Sequence, residues 1–428
     1  MSVIERPGRA ARGRAPARAA SDAVPKRSSR RIAAWDAPTA TYYLVVGTTA
    51  ALLAIGLVMV LSASTVYSLK ATGGRTPFEG FLSQAKFALL ALPLMIVVSR
   101  LKVSWLRFLS WPILLLTAAM QLLLFVPAFR LSKGGNAAWV SIAGQNFQPS
   151  EFAKFGLAVW LGAVLAAKGP LLKDWKHVLL PGGVMSAYMI GMVFYTRDLG
   201  TALIFGLLIA GAFWVAGVPR IMFYGVGMVA VGVVAAFVVS SGNRMHRITE
   251  FLGRGESDPL GTSMQSIRAL QGFGTGGLFG VGLGASRSKW LYLPEADNDF
   301  IFAIIGEELG LLGALVVLGL YLLLAIGMMR IIKRHPDPFA KIATAAIAAW
   351  VIGQALINIA SAIGMAPVIG VPLPLISSGG SSLVTTMAAL AFVIAFARTE
   401  PGCREVLQAR SAGLRSSLAV LAPRRGRG

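Results

Sequence analysis

Apolar runs near twenty residues long recur along almost the whole chain, and each is long enough to cross about 30 Å of hydrocarbon as a helix. Ten are read, at 42–63, 81–99, 105–128, 150–167, 179–195, 199–217, 221–240, 299–330, 339–365 and 381–398. The expected fold is all-α: a polytopic membrane protein of about ten transmembrane helices, with a large extracytoplasmic loop, 241–298, before the eighth. Composition agrees, with 56% hydrophobic and only 14% charged residues, where a soluble chain carries about a quarter charged. The first 35 residues hold no apolar core and no small-residue cleavage site, so no secretory signal is expected and the first span reads as an anchor. The lone Cys403 excludes an intramolecular disulfide framework.

Orientation follows from the basic residues. With the N-terminus inside, about 27 of the 40 lysines and arginines fall on the cytoplasmic side. They include Arg6 to Arg31, Arg100, Lys102, Arg107, Lys168, Lys173, Lys176, Arg330, Lys333, Arg334 and Arg404 to Arg427. The chain then divides into a basic disordered cytoplasmic tail at 1–41, a transmembrane domain at 42–398 and a second basic cytoplasmic tail at 399–428. The net charge of +22 sits mostly in these tails and in short inside loops. Anionic inner-leaflet lipid attracts such segments at about 1 kcal/mol per basic residue. No base-reading module is present, so nucleic acid is not an expected partner.

The long loops all fall outside, at about 129–149, 241–298 and 366–380, and a loop of about 58 residues is long enough to carry function. The acidic run Leu291-Tyr-Leu-Pro-Glu295-Ala-Asp297-Asn-Asp299-Phe300 brings three carboxylates to the mouth of the eighth span, which continues into Glu307-Glu308. Charges at membrane depth cost at least about 2.5 kcal/mol each and line a polar cavity or pair. Two readings stand for Asp299. A carboxyl between water and apolar surroundings suits a general base, and Asp is equally a favoured helix N-cap. Glu307-Glu308 reads as functional or as an ion-pair partner.

Three other places carry the same double reading. Gln148-Pro-Ser-Glu151-Phe-Ala-Lys154 opens the fourth span, with Glu151 and Lys154 on one face at i,i+3, near enough to pair. Arg197-Asp198 is a solvated turn or part of a site. The irregular stretch from Gly364 ends in Ser377-Ser378-Gly379-Gly380-Ser381-Ser382, which either presents amides to an anion or is a tight turn opening the last span. The glycine-rich Gly272–Gly284 has no Walker pattern and no preceding strand, so it reads as backbone bends. His177, His246 and His335 are too widely spaced for a metal site. The sequence singles out no cofactor. A divalent cation, Mg2+ or Mn2+, between the acidic cluster and a substrate pyrophosphate stays open.

Four stretches resemble the SEDS family (shape, elongation, division, sporulation): Gln148–Lys154; Asp198-Leu-Gly-Thr201; Gly276 to Gly284 running through Leu293-Pro-Glu-Ala-Asp-Asn-Asp-Phe-Ile-Phe-Ala303 to Glu307-Glu-Leu-Gly310; and Pro374 to Ser382. They occur in family order over 42–398. The Glu-Glu-Leu-Gly form and the long basic N-terminal tail resemble the cell-division branch more than the elongation branch. The resemblance implies polymerisation of lipid II into glycan strands at the outer face of the membrane, with a class B penicillin-binding transpeptidase and other divisome membrane proteins as partners. It implies that Asp299 is the catalytic aspartate. It also implies that Trp139, Glu151, Lys154, Asp198 and Ser377–Ser382 line or support one outer cavity, beside Glu295 and Asp297 of the acidic run. A lipid II flippase or a non-enzymatic divisome scaffold are the rival classes.

The chain departs from the family in places. Ala137-Ala138 stand before Trp139 where Arg-Arg is frequent, leaving Lys133, Arg130 or Arg254 as substitute phosphate ligands. Arg197 stands where Pro often precedes Asp-Leu-Gly, and Ser378 replaces an aromatic residue.

Overall fold

The computed structural model describes residues 35, 37–133, 136–142, 144–240, 242–251, 262–290 and 292–409. The tail assignments for residues 1–34 and 410–428, and Arg254, lie outside the described residues, as does the side chain of Lys133. Thirteen α-helices are formed: α1 (Ala40–Ala71), α2 (Glu79–Val98), α3 (Val103–Leu122), α4 (Pro149–Lys168), α5 (Trp175–Val178), α6 (Val184–Tyr195), α7 (Leu199–Ala216), α8 (Arg220–Val239), α9 (Gly242–Phe251), α10 (Thr262–Gly276), α11 (Ile301–Arg334), α12 (Pro338–Ala362) and α13 (Gly380–Arg398). Among the described residues ten segments are long and apolar enough to span a membrane, α5 and α6 together forming the fifth. The chain is a multi-pass membrane protein, with the helical class and the span number that the apolar runs predict.

Local chemistry sets several helix starts. Pro149 and Pro338 stand in the first turns of α4 and α12, where a missing N–H costs nothing. Asp337 caps α12 by accepting from the Phe339 N–H at 2.9 Å. The centre of the bundle is α13, 83% of whose span is buried, with α4 and α12 beside it at 67%. By contrast α8 is 6% buried and lies at the rim. A helix apolar all round is at home inside a bundle or against lipid, so both extremes suit a bilayer.

The loop before α4 forms a small antiparallel sheet: β1 (Arg130–Lys133), β2 (Asn136–Ile142) and β3 (Gln145–Phe147), in that order. Leu131 pairs with Trp139 and Val140 with Phe147. This sheet adds to the helical class. The loop 241–298 also holds structure, since α10 buries Ala269 and packs Phe273 on Phe302 of α11, ring centroids 5.7 Å apart.

The glycine-rich segment after α10 docks on an interruption of α11. Gly310 has φ +68, outside the helical region, and frees the surrounding backbone. The N–H groups of Val281 and Gly282 then donate to the carbonyls of Glu307 and Glu308, both at 3.0 Å, and Leu311 N–H donates to Gly277 at 2.9 Å. A Cβ on Gly276, Gly280 or Gly310 would collide with the facing backbone. Close backbone approach is therefore the job of these glycines.

Candidate functional site

Successive spans run in opposite directions, so the described residues of segments 72–78, 126–148, 196–198, 240–300 and 363–379 share one end of the bundle. The acidic turn lies there. Its apolar members Leu293, Ala296 and Phe300 are buried, while Glu295 is exposed and Asp297 and Asp299 are half-buried. Glu295 takes φ +53, and its carbonyl accepts from the N–H groups of Asn298 (3.1 Å) and Phe300 (3.2 Å), which closes the turn. Phe300 holds the N-cap position of α11, and its side chain makes no capping hydrogen bond. Asp299 stands one residue before that position.

The stretch 364–379 is stitched to this turn. Ser378 N–H donates to the Asp297 carbonyl at 2.8 Å, and the Ser377 hydroxyl donates to the Asn298 carbonyl at 2.6 Å while accepting from Leu373 N–H at 2.7 Å. Asn358 of α12 donates through Nδ2 to the carbonyls of both Asp299 and Val371, each at 2.8 Å. Gly370, at φ +76, lies so close that a Cβ there would sit 3.5 Å from Asp299 Oδ2. Gln84 of α2 closes the far side, donating to Ser377 O and accepting from Gly379 N–H, both at 3.1 Å. Irregular backbone survives at this depth because buried amides satisfy it.

Glu151 and Lys154 are 2% and 1% exposed and form an ion pair at 2.8 Å. Lys154 Nζ also donates to Gln354 Oε1 at 2.8 Å and lies 5.1 Å over the Trp350 ring. Gln354 in turn donates to Pro372 O at 2.7 Å. The pair thus braces the 364–379 stretch from beneath. Asp198 caps α7, accepting from Thr201 N–H at 2.9 Å, and its second oxygen accepts from Gln148 Nε2 at 3.0 Å. Gln148 N–H reaches Ser381 Oγ at 3.5 Å, so Asp198, Gln148 and Ser381 form one chain of contacts. Gly379 and Gly380 lead into α13.

Glu307 and Glu308 are each 1% exposed. Glu308 accepts from Ser62 Oγ at 2.7 Å and pairs with Lys289 at 3.3 Å. Glu307 accepts from Ser286 Oγ (2.6 Å) and from the N–H groups of Arg287 (2.9 Å) and Ser288 (3.3 Å). The ion-pair reading offered for Glu307-Glu308 holds at Glu308, whereas Glu307 is held by hydrogen bonds from neutral donors. Trp139 is half-buried in β2 and, among the described residues, makes no hydrogen bond or ring contact with the acidic turn. Arg130 lies over the Tyr195 ring at 5.7 Å.

The pattern that defines the FtsW/RodA/SpoVE family of cell cycle proteins matches residues 42–401. The chain belongs to this family. A probable peptidoglycan glycosyltransferase FtsW of Mycobacterium tuberculosis is 37% identical over 392 residues, covering 91% of this chain and 74% of that protein. Stage V sporulation protein E of Bacillus subtilis is 33% identical over 359 residues, 83% of this chain and 96% of that one. A chain of a peptidoglycan synthase complex that coordinates polymerization and crosslinking superposes with TM-score 0.67 at 25% identity, over 84% of this chain and 98% of that chain. Thermus thermophilus RodA shares the fold, with TM-score 0.61 over 84% of this chain and 97% of its own.

Within this family fold, three residues that the motifs do not single out hold the site together: Gln84, Gln354 and Asn358. Each is an amide inside an apolar span, and that alone marks a residue at membrane depth as paired or functional. Among the described residues no group of three His, Cys, Asp or Glu side chains is arranged to hold a metal ion.

Proposed function

We propose that the chain is a peptidoglycan glycosyltransferase that polymerises lipid II into glycan strands during cell division. The single observation that carries this reading is the Asp297–Asp299 turn, half-buried and fixed by Asn358 and Ser377–Ser378 within a fold shared with peptidoglycan-polymerising relatives. The basic segments hold the bundle end opposite this turn in the cytoplasm, so both termini lie inside the cell membrane and the turn faces outward.

Outside the cell no nucleotide sugar is at hand, so the donor brings its own leaving group, a prenyl pyrophosphate. Asp299 takes the proton of the acceptor sugar hydroxyl as that oxygen attacks the donor anomeric carbon. The new glycosidic bond forms as the carbon–oxygen bond to pyrophosphate breaks, and the pyrophosphate leaves with the electron pair. One base and a single displacement give inversion at the anomeric carbon. A positioned base contributes roughly 10²–10⁴-fold. Ser377–Ser381, Glu295, Asp297 and Trp139 are assigned to substrate contact around the turn, and Glu151, Lys154 and Asp198 to its support. A divalent cation, where used, would be held by Asp297 and Asp299 and would neutralise the departing pyrophosphate.

A class B penicillin-binding transpeptidase is the proposed partner, supported by the likeness to a complex that joins polymerization to crosslinking, and other divisome membrane proteins complete the assembly. The test is purified protein in detergent, supplied with lipid II and the transpeptidase. Glycan product is expected. A flippase or a scaffold would make none, because neither forms a bond.

A further inference from the structure

A cleft of about 880 Å³ opens between α10 and the residues Arg287, Ser288, Trp290 and Tyr292 that precede the acidic turn in the chain. One wall is a single helical stripe of α10, in which Met264, Arg268, Gln271 and Thr275 recur at i, i+4, i+7 and i+11. The opposite stripe of the same helix, with Ala269 and Phe273, packs on α11. The other wall presents two aromatic side chains, Trp290 and Tyr292, which are 60% and 58% exposed. Tyr292 is held in place by Arg268, whose guanidinium donates to the Tyr292 carbonyl at 2.8 Å and lies 5.3 Å over its ring. Arg287 is fixed through its backbone N–H on Glu307, and its exposed side chain makes no ion pair among the described residues. The floor, Glu307, already accepts three hydrogen bonds from Ser286, Arg287 and Ser288.

This combination matches the surface of a sugar chain. Pyranose rings offer apolar C–H faces to aromatic platforms and hydroxyl edges to amide and hydroxyl groups such as Gln271 and Thr275. An unpaired arginine suits acidic substituents on such a chain. The segment 287–292 runs directly into the 293–299 turn, and Glu307 follows Asp299 by eight residues, on the order of 12 Å along a helix. We infer that this cleft is a saccharide subsite that holds the growing glycan strand, with its acidic peptide substituents, next to the coupling centre. The inference rests on the polymerase reading and adds a place for the strand.

Binding of a short soluble peptidoglycan oligosaccharide to the full-length protein in detergent tests it. Trp290→Ala and Tyr292→Ala are each expected to weaken binding about three- to tenfold. Trp290→Phe is expected to recover most of the loss, and Arg287→Ala to remove the salt dependence of binding. Both aromatic residues are largely exposed, so folding is retained, and an unchanged unfolding midpoint checks this. Equal oligosaccharide affinity in wild type and both alanine variants overturns the inference. So does Trp290-dependent binding of undecaprenyl phosphate without oligosaccharide binding, or crosslinking from position 290 to the transpeptidase alone. A wild type that turns lipid II into glycan while binding oligosaccharide independently of Trp290 and Tyr292 sinks only the subsite. A wild type that binds through the cleft yet never polymerises lipid II sinks the polymerase reading instead.

Discussion

Two sets of carboxylates share one end of the bundle and are held in opposite ways. Glu151 and Glu308 are almost wholly buried, and each meets a lysine, Lys154 at 2.8 Å and Lys289 at 3.3 Å. Asp297 and Asp299 are half-buried, and the contacts that fix them fall on their backbone carbonyls, from Ser378 and Asn358. A buried charge without a partner is expensive, so Glu151 and Glu308 each come with a lysine, and the neighbouring Glu307 with three hydrogen bonds. The Asp297 and Asp299 backbones are thus pinned to the 364–379 stretch and to α12. The first set builds the floor, and the second is positioned for chemistry.

That contrast breaks most visibly at Lys154. Lys154→Met leaves Glu151 buried without its cation and is expected to cost about 3–5 kcal/mol, read as a fall in the unfolding midpoint in detergent. The double variant Glu151→Gln with Lys154→Met should lose much less. If Lys154→Met kept full stability and lost only activity, Lys154 would belong with the substrate-facing set.

Asn358→Leu sharpens the other half. It strips one donor from the Asp299 and Val371 carbonyls, at about 1–3 kcal/mol for a buried acceptor left unmade. With the turn loosened, the polymerisation rate is expected to fall about 10- to 100-fold, while the bundle still assembles. A normal rate would show that Asn358 positions nothing.

The smallest effect lies at the far end of the bundle. His335 Nδ1 accepts from Asp337 N–H at 3.0 Å, and its Nε2 sits 3.1 Å from Thr399 Oγ1, so the ring is held neutral. Burial is the main cause that lowers its pKa below 6.5. The unfolded chain therefore binds the proton more readily, and this contribution to stability is whole above about pH 6.5 and lost as pH falls through the folded value. Glu400 runs the other way: burial raises its pKa, so its contribution is lost as pH rises above the ordinary value. His335→Gln should show a smaller fall in unfolding midpoint between pH 7.5 and 5.5 than wild type.

Much of the fold is legible in the chain because lipid leaves few choices. A twenty-residue apolar run becomes a spanning helix, and even the adjoining pair around Arg197–Gly200 separates into α6 and α7. The acidic turn is legible because Leu293, Ala296 and Phe300 alternate with carboxylates at a span mouth. The sheet before α4 had only Gly134-Gly135 as a hairpin signature, and the flanking Lys133 and Asn136-Ala137-Ala138 are poor strand formers. The roles of Gln84, Gln354 and Asn358 were hidden for a different reason. Their partners lie far away in sequence, as between Gln84 and Ser377, and no local pattern encodes that meeting. The two readings of Glu307-Glu308 were likewise inseparable until Lys289 and Ser62 were placed beside Glu308.

The central claim is that the Asp299 carboxylate takes the proton in the coupling step. Its most direct test is the initial rate of lipid II polymerisation by purified Asp299→Asn beside wild type, with unfolding midpoints and lipid II binding measured on the same samples. The account predicts a loss of at least about 100-fold with folding and binding intact. A well-folded Asp299→Asn protein that makes glycan at the wild-type rate would contradict it.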